Sequence, residues 1–72
     1  MKRVPLDSKN LKSVGYDAGT MQVEFNNGRL YNYQGEHIDQ HYQSLVHAAS
    51  PGEYFNSQVR HNPKIIGREV SK

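Results

Sequence analysis

An arginine and two tyrosines lie close together in the stretch GRLYNYQG, which covers positions 28–35. Tyr31 and Tyr33 are two positions apart, so in a strand they project from the same face. Aromatic side chains on a strand can stack on single-stranded bases, and each stack contributes about 1–3 kcal/mol. The same rings could instead fill the core of a small domain, with each hydroxyl bonded to the backbone or to Asn32. We favour the core interpretation.

Basic and amide side chains elsewhere could contact a phosphate or a base edge. Asn56 and Arg60 are four positions apart, so they share one face of a helix. Together with the basic residues they could bind a nucleic acid. The simpler interpretation of Arg60 is a surface arginine paired with an acidic neighbour, which contributes little to stability. The candidate nucleic-acid-binding residues are Arg29, Tyr31, Tyr33, Asn56, Arg60, Lys9 and Lys12.

Two histidines have a spacing that suits a metal ion. His37 and His41 are four apart, so on a helix both rings could bind one ion. Asp39 points to another face of that helix, and no third ligand follows at a motif distance. We interpret the histidines as a solvent-facing pair, and we expect no metal and no cofactor.

No pattern typical of an enzyme is present. The chain has no cysteine, no nucleophile elbow and no glycine-rich phosphate loop. Asp39 and His41 are two positions apart, so on a helix they do not face each other and cannot form a catalytic dyad. We therefore expect a protein without catalytic activity.

One small domain must position these residues. The chain has 72 residues, of which 35% are hydrophobic and 10% aromatic. A chain of this length buries only about 60% of the surface that its unfolded form exposes, so the aromatic rings are needed in the core. The absence of cysteine excludes disulfide and thiolate-zinc scaffolds. No apolar run suits a signal peptide or a membrane helix, so we expect a cytoplasmic protein with no membrane partner.

The net charge of +2 conceals a segregation of charge along the chain. Residues 1–12 sum to +3, residues 13–59 to −4 and residues 60–72 to +3. The two basic ends form one patch if the termini lie close together, as they often do in single domains. The alternative, which we favour, is two solvated basic tails.

The stretch MQVEFNNGRLYNY predicts a β-hairpin, because apolar residues alternate with polar ones and an Asn-Gly pair follows. A two-residue loop would place both tyrosines on the solvent-facing side. A three-residue loop with a bulge at Gly28 would pair Tyr31 with Val23 and Tyr33 with Met21, which places both rings in the core. Glycine at the third loop position favours the second register. With LKSVGYD as a further strand, the pattern predicts a three-stranded antiparallel meander.

Helical patterns follow the strands. The stretch EHIDQHYQSLVHAA predicts one long amphipathic helix over 36–49. Its apolar stripe consists of Ile38, Tyr42, Leu45, Val46 and Ala49. Next, Ser50 and Glu53 form a capping-box pattern around Pro51, which predicts a short second helix over GEYFNSQVR. Residues 61–72 show no periodicity; they could pack down on the domain or trail off, and we name them a basic C-terminal tail.

These pieces, in this order, resemble the KTSC domain, a short bacterial and phage module that also occurs at the C-terminus of some lysyl-tRNA synthetases. The resemblance extends from about Val4 to Arg60. It includes VGYD at 14–17 and VEFNNGRLYNY, in which the family's Tyr-x-Tyr falls on the two tyrosines. Its closing motif, within AASPGEYFNSQVR, is matched by Ala49, Ser50, Gly52, Tyr54, Phe55, Asn56 and Arg60. The departures are Glu36-His37 at the helix entry, where the usual proline is missing, and the basic tail.

The resemblance implies no established activity, although RNA binding has been suggested for the family. We expect an α+β fold and a single domain over 1–72, with a KTSC-like core at about 4–60. The expected function is a small accessory module that binds single-stranded or structured RNA through basic residues and stacking. The alternative is a protein-interaction module of phage or bacterial origin, which would use a strand edge or a helix face and have no nucleic-acid role.

Overall fold

Five strands form one antiparallel sheet in the computed structural model, which describes residues 2–70. Their order in the sheet is their order in the sequence. The strands are β1 (Arg3–Pro5), β2 (Leu11–Asp17), β3 (Thr20–Phe25), β4 (Leu30–Gly35) and β5 (Ile65–Glu69). Between β4 and β5 the chain forms α1 (Ile38–His47), α2 (Pro51–Tyr54) and a π-helix (Phe55–Arg60). The helices cover one face of the sheet, which we call the inner face.

The prediction of a three-stranded sheet is wrong, because β1 and β5 extend it on both sides. Three residues of β1 are too few to show an alternating pattern. In β5, the inner-face position next to Tyr33 is Gly67. A Cβ atom there would lie 2.8 Å from Tyr33 Cδ1, so the tyrosine ring occupies the place of a side chain. The apolar alternation that marks a strand is therefore missing, and 5 residues of the supposed tail form a strand.

The register predicted for the central hairpin is confirmed. Tyr31 pairs with Val23 and Tyr33 with Met21. The loop is closed by a hydrogen bond of 2.9 Å from the Phe25 N–H to the Arg29 carbonyl oxygen, which leaves three residues in the turn. Gly28 has a φ of 88°, the left-handed conformation that a bulged loop requires. Both tyrosines consequently lie on the inner face.

The long helix predicted over 36–49 is also wrong, since α1 has only 10 residues. His37 immediately before it is left-handed, with a φ of 59°. The Glu36 N–H donates to the Lys64 carbonyl oxygen at 3.3 Å, which holds this residue outside the helix and beside the start of β5. After His47 the backbone becomes extended at Ala48, so Ala49 is exposed and does not belong to the buried stripe.

The second helix begins at Pro51, as predicted, but without the predicted capping box. Ser50 precedes it with extended backbone, and its side chain makes no capping hydrogen bond. From Phe55 the helix widens into a π-helix. The Ser57 hydroxyl donates to the Glu53 carbonyl oxygen at 2.9 Å, so it competes with the backbone N–H that an α-helix would place there. We attribute the widening to this competition.

The hydrophobic core lies between the inner face and the helices. Its buried members are Leu11, Val14, Met21, Val23, Tyr33, Ile38, Leu45, Phe55, Val59 and Ile65. The outer face carries a network of polar side chains instead. The Ser13 hydroxyl donates to Glu24 at 3.1 Å, and the Gln22 amide donates to Asn32 at 3.0 Å. Arg3 also contacts Gln22. The buried apolar side chains therefore lie on the inner face and the polar network on the outer face.

Candidate functional site

Four aromatic rings form a cluster on the inner face, at the end of the sheet that holds the hairpin loop. Tyr33 packs edge-on against Phe55 with centroids 5.4 Å apart, and it stacks on Tyr31 at 6.1 Å. Phe25 makes edge contacts with Tyr31 at 5.5 Å and with Phe55 at 5.6 Å. Tyr33 is only 8% exposed. The core interpretation is thus confirmed for Tyr33, whereas Tyr31 is half-buried at the edge of the cluster.

The hydroxyl of Tyr33 is in an unusual setting. The pKa of Tyr33 is raised to about 12, chiefly by burial and also by Tyr31, while the positive charge of Arg60 acts in the opposite direction. Within residues 2–70 neither tyrosine hydroxyl has a hydrogen-bond partner. The expected bond to Asn32 is not formed, because that side chain lies on the outer face and accepts from Gln22. Arg60 is therefore the positively charged residue that acts on the pKa of the buried Tyr33 hydroxyl.

Beside the aromatic cluster lies a depression that we call the polar groove. It is lined mainly by polar side chains, which come from the β1–β2 loop, the hairpin loop, and the two helical segments after α1. Those used below are Ser8, Lys9, Asn10, Asn26, Asn56 and Arg60. Phe25 and Phe55 line it too, so the groove has an aromatic floor. Asp7 and Glu53 at its margin give it mixed charge.

Asn26 holds the β1–β2 loop in place at one wall of the groove. Its side-chain amide donates to the Lys9 carbonyl oxygen at 2.6 Å and to the Ser8 carbonyl oxygen at 3.3 Å. Its backbone N–H donates to the Asn10 carbonyl oxygen at 2.9 Å. On the opposite wall, a Cβ atom at Gly52 would lie 3.1 Å from the Ser8 hydroxyl oxygen, so glycine permits this close approach. Asn26 therefore has a structural role, whereas within residues 2–70 the side chains of Asn10 and Asn56 have no hydrogen-bond partner.

A second depression, the aromatic crevice, adjoins the groove between the π-helix and β5. It is lined by Arg29, Tyr31, Tyr33, Val59, Arg60 and Gly67, with the two phenylalanines shared. Arg60 lines both depressions, because its position on the π-helix lies between them. The residues that line both depressions are Phe25, Asn27, Phe55 and Arg60, so the two adjoin along this set.

Six of the seven predicted site residues are brought together in this region. Lys9, Asn56 and Arg60 line the polar groove, and Arg29, Tyr31 and Tyr33 line the crevice. Lys12 lies on β2 and lines neither depression. Sequence reasoning missed Phe25 and Asn10. The hairpin pattern placed Phe25 correctly on the inner face, but nothing in the sequence shows that the β1–β2 loop folds over beside it.

Two of the cations at this site are not neutralised by acidic neighbours. Arg29 is 3.9 Å from Glu69, an exposed pair. Among residues 2–70, neither Lys9 nor Arg60 forms an ion pair, so the simple surface-pair interpretation of Arg60 does not describe this structure. Their charges remain available to a ligand.

The histidine pair lies away from this site and has other partners. His37 Nε2 is 3.2 Å from Glu36 Oε1, and His41 Nδ1 is 2.9 Å from the Tyr54 hydroxyl oxygen. Over residues 2–70, no three His, Cys, Asp or Glu residues are grouped so as to hold a metal ion. In the same part of the chain, no helix is both long and apolar enough to cross a membrane.

The family model of the KTSC domain matches residues 7–62 of this chain. The chain belongs to the KTSC domain family. Among its relatives, an uncharacterised protein of Stutzerimonas stutzeri (strain A1501) is 43% identical over 58 residues, which is 78% of this KTSC chain and 80% of the relative. The crystal structure of a KTSC domain protein from Yersinia pestis matches with a TM-score of 0.80 and 26% identity. That match covers 97% of each chain, so it extends past residue 62 into β5.

Proposed function

We propose that this KTSC domain is a small non-catalytic module that binds single-stranded RNA in the polar groove. The observation that carries the proposal is the convergence of Lys9, Arg60 and Asn56 on one depression with an aromatic floor. Cations contact phosphates, whereas asparagine amides can bond the edges of bases. Binding of this kind needs only charge and shape, in keeping with a chain that shows no catalytic motif.

Stacking requires a different ring from the tyrosines chosen from the sequence. Tyr33 is only 8% exposed and packs against Phe55, Tyr31 and Gly67, so it offers little ring surface to a base. Phe25 is half-buried and lines both depressions. We assign the stacking role to Phe25, with Tyr31 as the second accessible ring. A base on Phe25 would have its phosphates within the reach of Arg60.

The charges define the path of the strand. Lys9 lines the polar groove, Arg29 lines the crevice, and Arg60 lines both. Glu69 competes for Arg29, so we expect Arg29 to contribute less than Arg60. Asp7 and Glu53 repel phosphate from the margin, which confines the backbone to the line between the cations. This function implies a cytoplasmic location, where RNA is present.

Fluorescence anisotropy with a labelled RNA of about twelve nucleotides tests the proposal, because such sites span about 4–16 nucleotides. The titration is done at about 50 and about 200 mM salt. Arg60→Ala and Lys9→Ala should each weaken binding several-fold and reduce the salt slope by about one. Lys12→Ala is the matched control, because it removes the same charge from a position outside the groove. It should leave the affinity nearly unchanged.

Two results would contradict the proposal. If the parent protein fails to bind at the lower salt concentration, there is no RNA site. If Lys12→Ala weakens binding as much as Lys9→Ala, the attraction comes from net charge and the groove is not the site.

A further inference from the structure

The outer edge of β5 carries backbone groups with no strand beside it. The Val70 N–H donates to the Leu30 carbonyl oxygen at 2.8 Å, and hydrogen-bonded pairs in an antiparallel ladder alternate. The amides of Ile66 and Arg68 therefore face β4, and those of Gly67 and Glu69 face outward. β5 is the last strand of the sheet, and within residues 2–70 nothing extends it. The edge presents an open ladder two residue pairs long.

The other edge of the sheet, formed by β1, is poorly suited to pairing with a further strand. β1 has only 3 residues and includes Pro5, which has no N–H to donate. Short edge strands and prolines are common protections against strand addition. β5 has 5 residues, no proline and no bulge. Its Ile66 is 60% exposed, the large hydrophobic residue most open to solvent among those described.

We propose that β5 accepts an extended acidic segment of a partner protein as a sixth, antiparallel strand. This interaction uses the edge of β5 and not the polar groove, although Gly67 also lines the aromatic crevice, and it goes beyond RNA binding. The acidic character follows from the charges along the edge. Arg68 is exposed on the outer face and has no ion-pair partner among residues 2–70, whereas Glu69 is already engaged by Arg29. Lys64, just before the strand, is paired with Glu36 at 3.5 Å, so Arg68 is the cation that this edge offers to the partner.

The side chains of β5 also define a pattern for the partner. Residues directly opposite each other in an antiparallel pair share a face and contact. A carboxylate suits the position opposite Arg68, and an apolar side chain suits the position opposite Ile66. Between them, the residue opposite Gly67 meets no side chain, and the ring of Tyr33 lies beneath that glycine. A large apolar residue can pack there. Read from its N-terminus, the partner segment therefore carries an acidic residue, then a large apolar residue, then a further apolar residue.

A blocked peptide of sequence TTEFVTT is the probe, with binding followed through the amide NMR signals of Gly67 and Glu69. A peptide N-methylated at its Phe cannot donate to the Gly67 carbonyl oxygen, so its affinity should fall at least about tenfold. N-methylation at its Glu is the matched control, because that N–H points away from β5. Equal affinity of the two methylated peptides would overturn the proposal.

A charge exchange tests the polarity of the partner without disturbing the core. Arg68→Glu should weaken the TTEFVTT peptide about tenfold and should strengthen TTKFVTT by a similar factor. If Arg68→Glu still binds TTEFVTT more tightly than TTKFVTT, the assignment of an acidic partner is wrong. Lys9→Ala, which weakens RNA in the proposed function, should leave peptide affinity unchanged. If RNA displaces the peptide and Arg68→Glu weakens RNA equally, β5 belongs to the nucleic-acid site and the peptide proposal is wrong.

Discussion

Replacing Tyr33 by leucine should destabilise the domain strongly, because the ring holds three parts of the fold together. It packs against Phe55 of the π-helix, stacks on Tyr31 of the same strand, and covers Gly67 of β5. Leucine keeps an apolar body of smaller size at this position. It loses the ring contacts and leaves the glycine uncovered.

The two ring pairs of Tyr33 determine the expected loss of stability in Tyr33→Leu. Each aromatic pair contributes about 0.5–1.5 kcal/mol beyond the burial of its area, and Tyr33 takes part in two. The loss of both pairs predicts a decrease of about 2 kcal/mol in the free energy of unfolding. For a domain of this size that corresponds to a fall of about 8–16 °C in the melting temperature.

Urea unfolding and calorimetry at neutral pH measure both quantities, with Tyr33→Phe as the control. This variant keeps the ring and removes only the hydroxyl, which has no hydrogen-bond partner among the described residues. Its stability should stay within about 0.5 kcal/mol of the parent value. The reasoning is refuted if the leucine variant unfolds like the parent. It is refuted also if the phenylalanine variant is destabilised as much as the leucine variant, because the hydroxyl would then carry the effect.

Three further predictions concern the same packing. The pKa of Tyr33, raised to about 12, exceeds that of unfolded tyrosine, so its contribution to stability is complete below pH 10 and is lost as the pH rises through 12. Urea unfolding at alkaline pH should show that Tyr33→Phe loses less free energy of unfolding over that pH range than the parent protein. Phe55→Ala should cost about 3 kcal/mol or more by urea unfolding, whereas Ser50→Ala should cost under about 0.5 kcal/mol because its side chain makes no capping bond. Gly67→Ala should lower the melting temperature, since its Cβ would overlap the Tyr33 ring.

The central hairpin was predictable because local rules determine it. Alternating apolar residues identify the strands, and the position of Gly28 selects the three-residue loop. That loop fixes which face receives Tyr31 and Tyr33, and the observed pairing agrees. No information from distant parts of the chain was needed for this step.

β5 was not predictable, because its pattern depends on a residue in another strand. A strand signal requires apolar side chains at alternate positions, yet the inner-face positions of β5 hold Ile65, Gly67 and Glu69. The ring of Tyr33 supplies the missing apolar group from β4. Nothing near Gly67 in the sequence records this. The helix predicted to begin at Glu36 begins only at Ile38 for a similar reason. A hydrogen bond from the Glu36 N–H to the Lys64 carbonyl oxygen holds Glu36 beside β5.

The candidate site could be predicted in pieces but not as a whole. The spacing of Asn56 and Arg60 put them on one helical face, and both line the polar groove. Arg29 and Arg60 line the same crevice because the π-helix packs over the hairpin. The spacing of residues in the sequence does not predict this packing. Lys12 was predicted to lie near the same site as Lys9. The two lysines separate because Lys9 lies in the β1–β2 loop, which lines the groove, whereas Lys12 lies in β2.

The π-helix links the core to the site through alternate faces of one short segment. Phe55 and Val59 are buried, and Phe55 contacts both Phe25 and Tyr33. Asn56 and Arg60 each follow one of these anchored residues directly in the chain, and both are exposed. Their positions at the groove are therefore set by the packing of the aromatic cluster. The tyrosines contribute to binding chiefly in this indirect way, by fixing the segment that carries the polar and basic side chains.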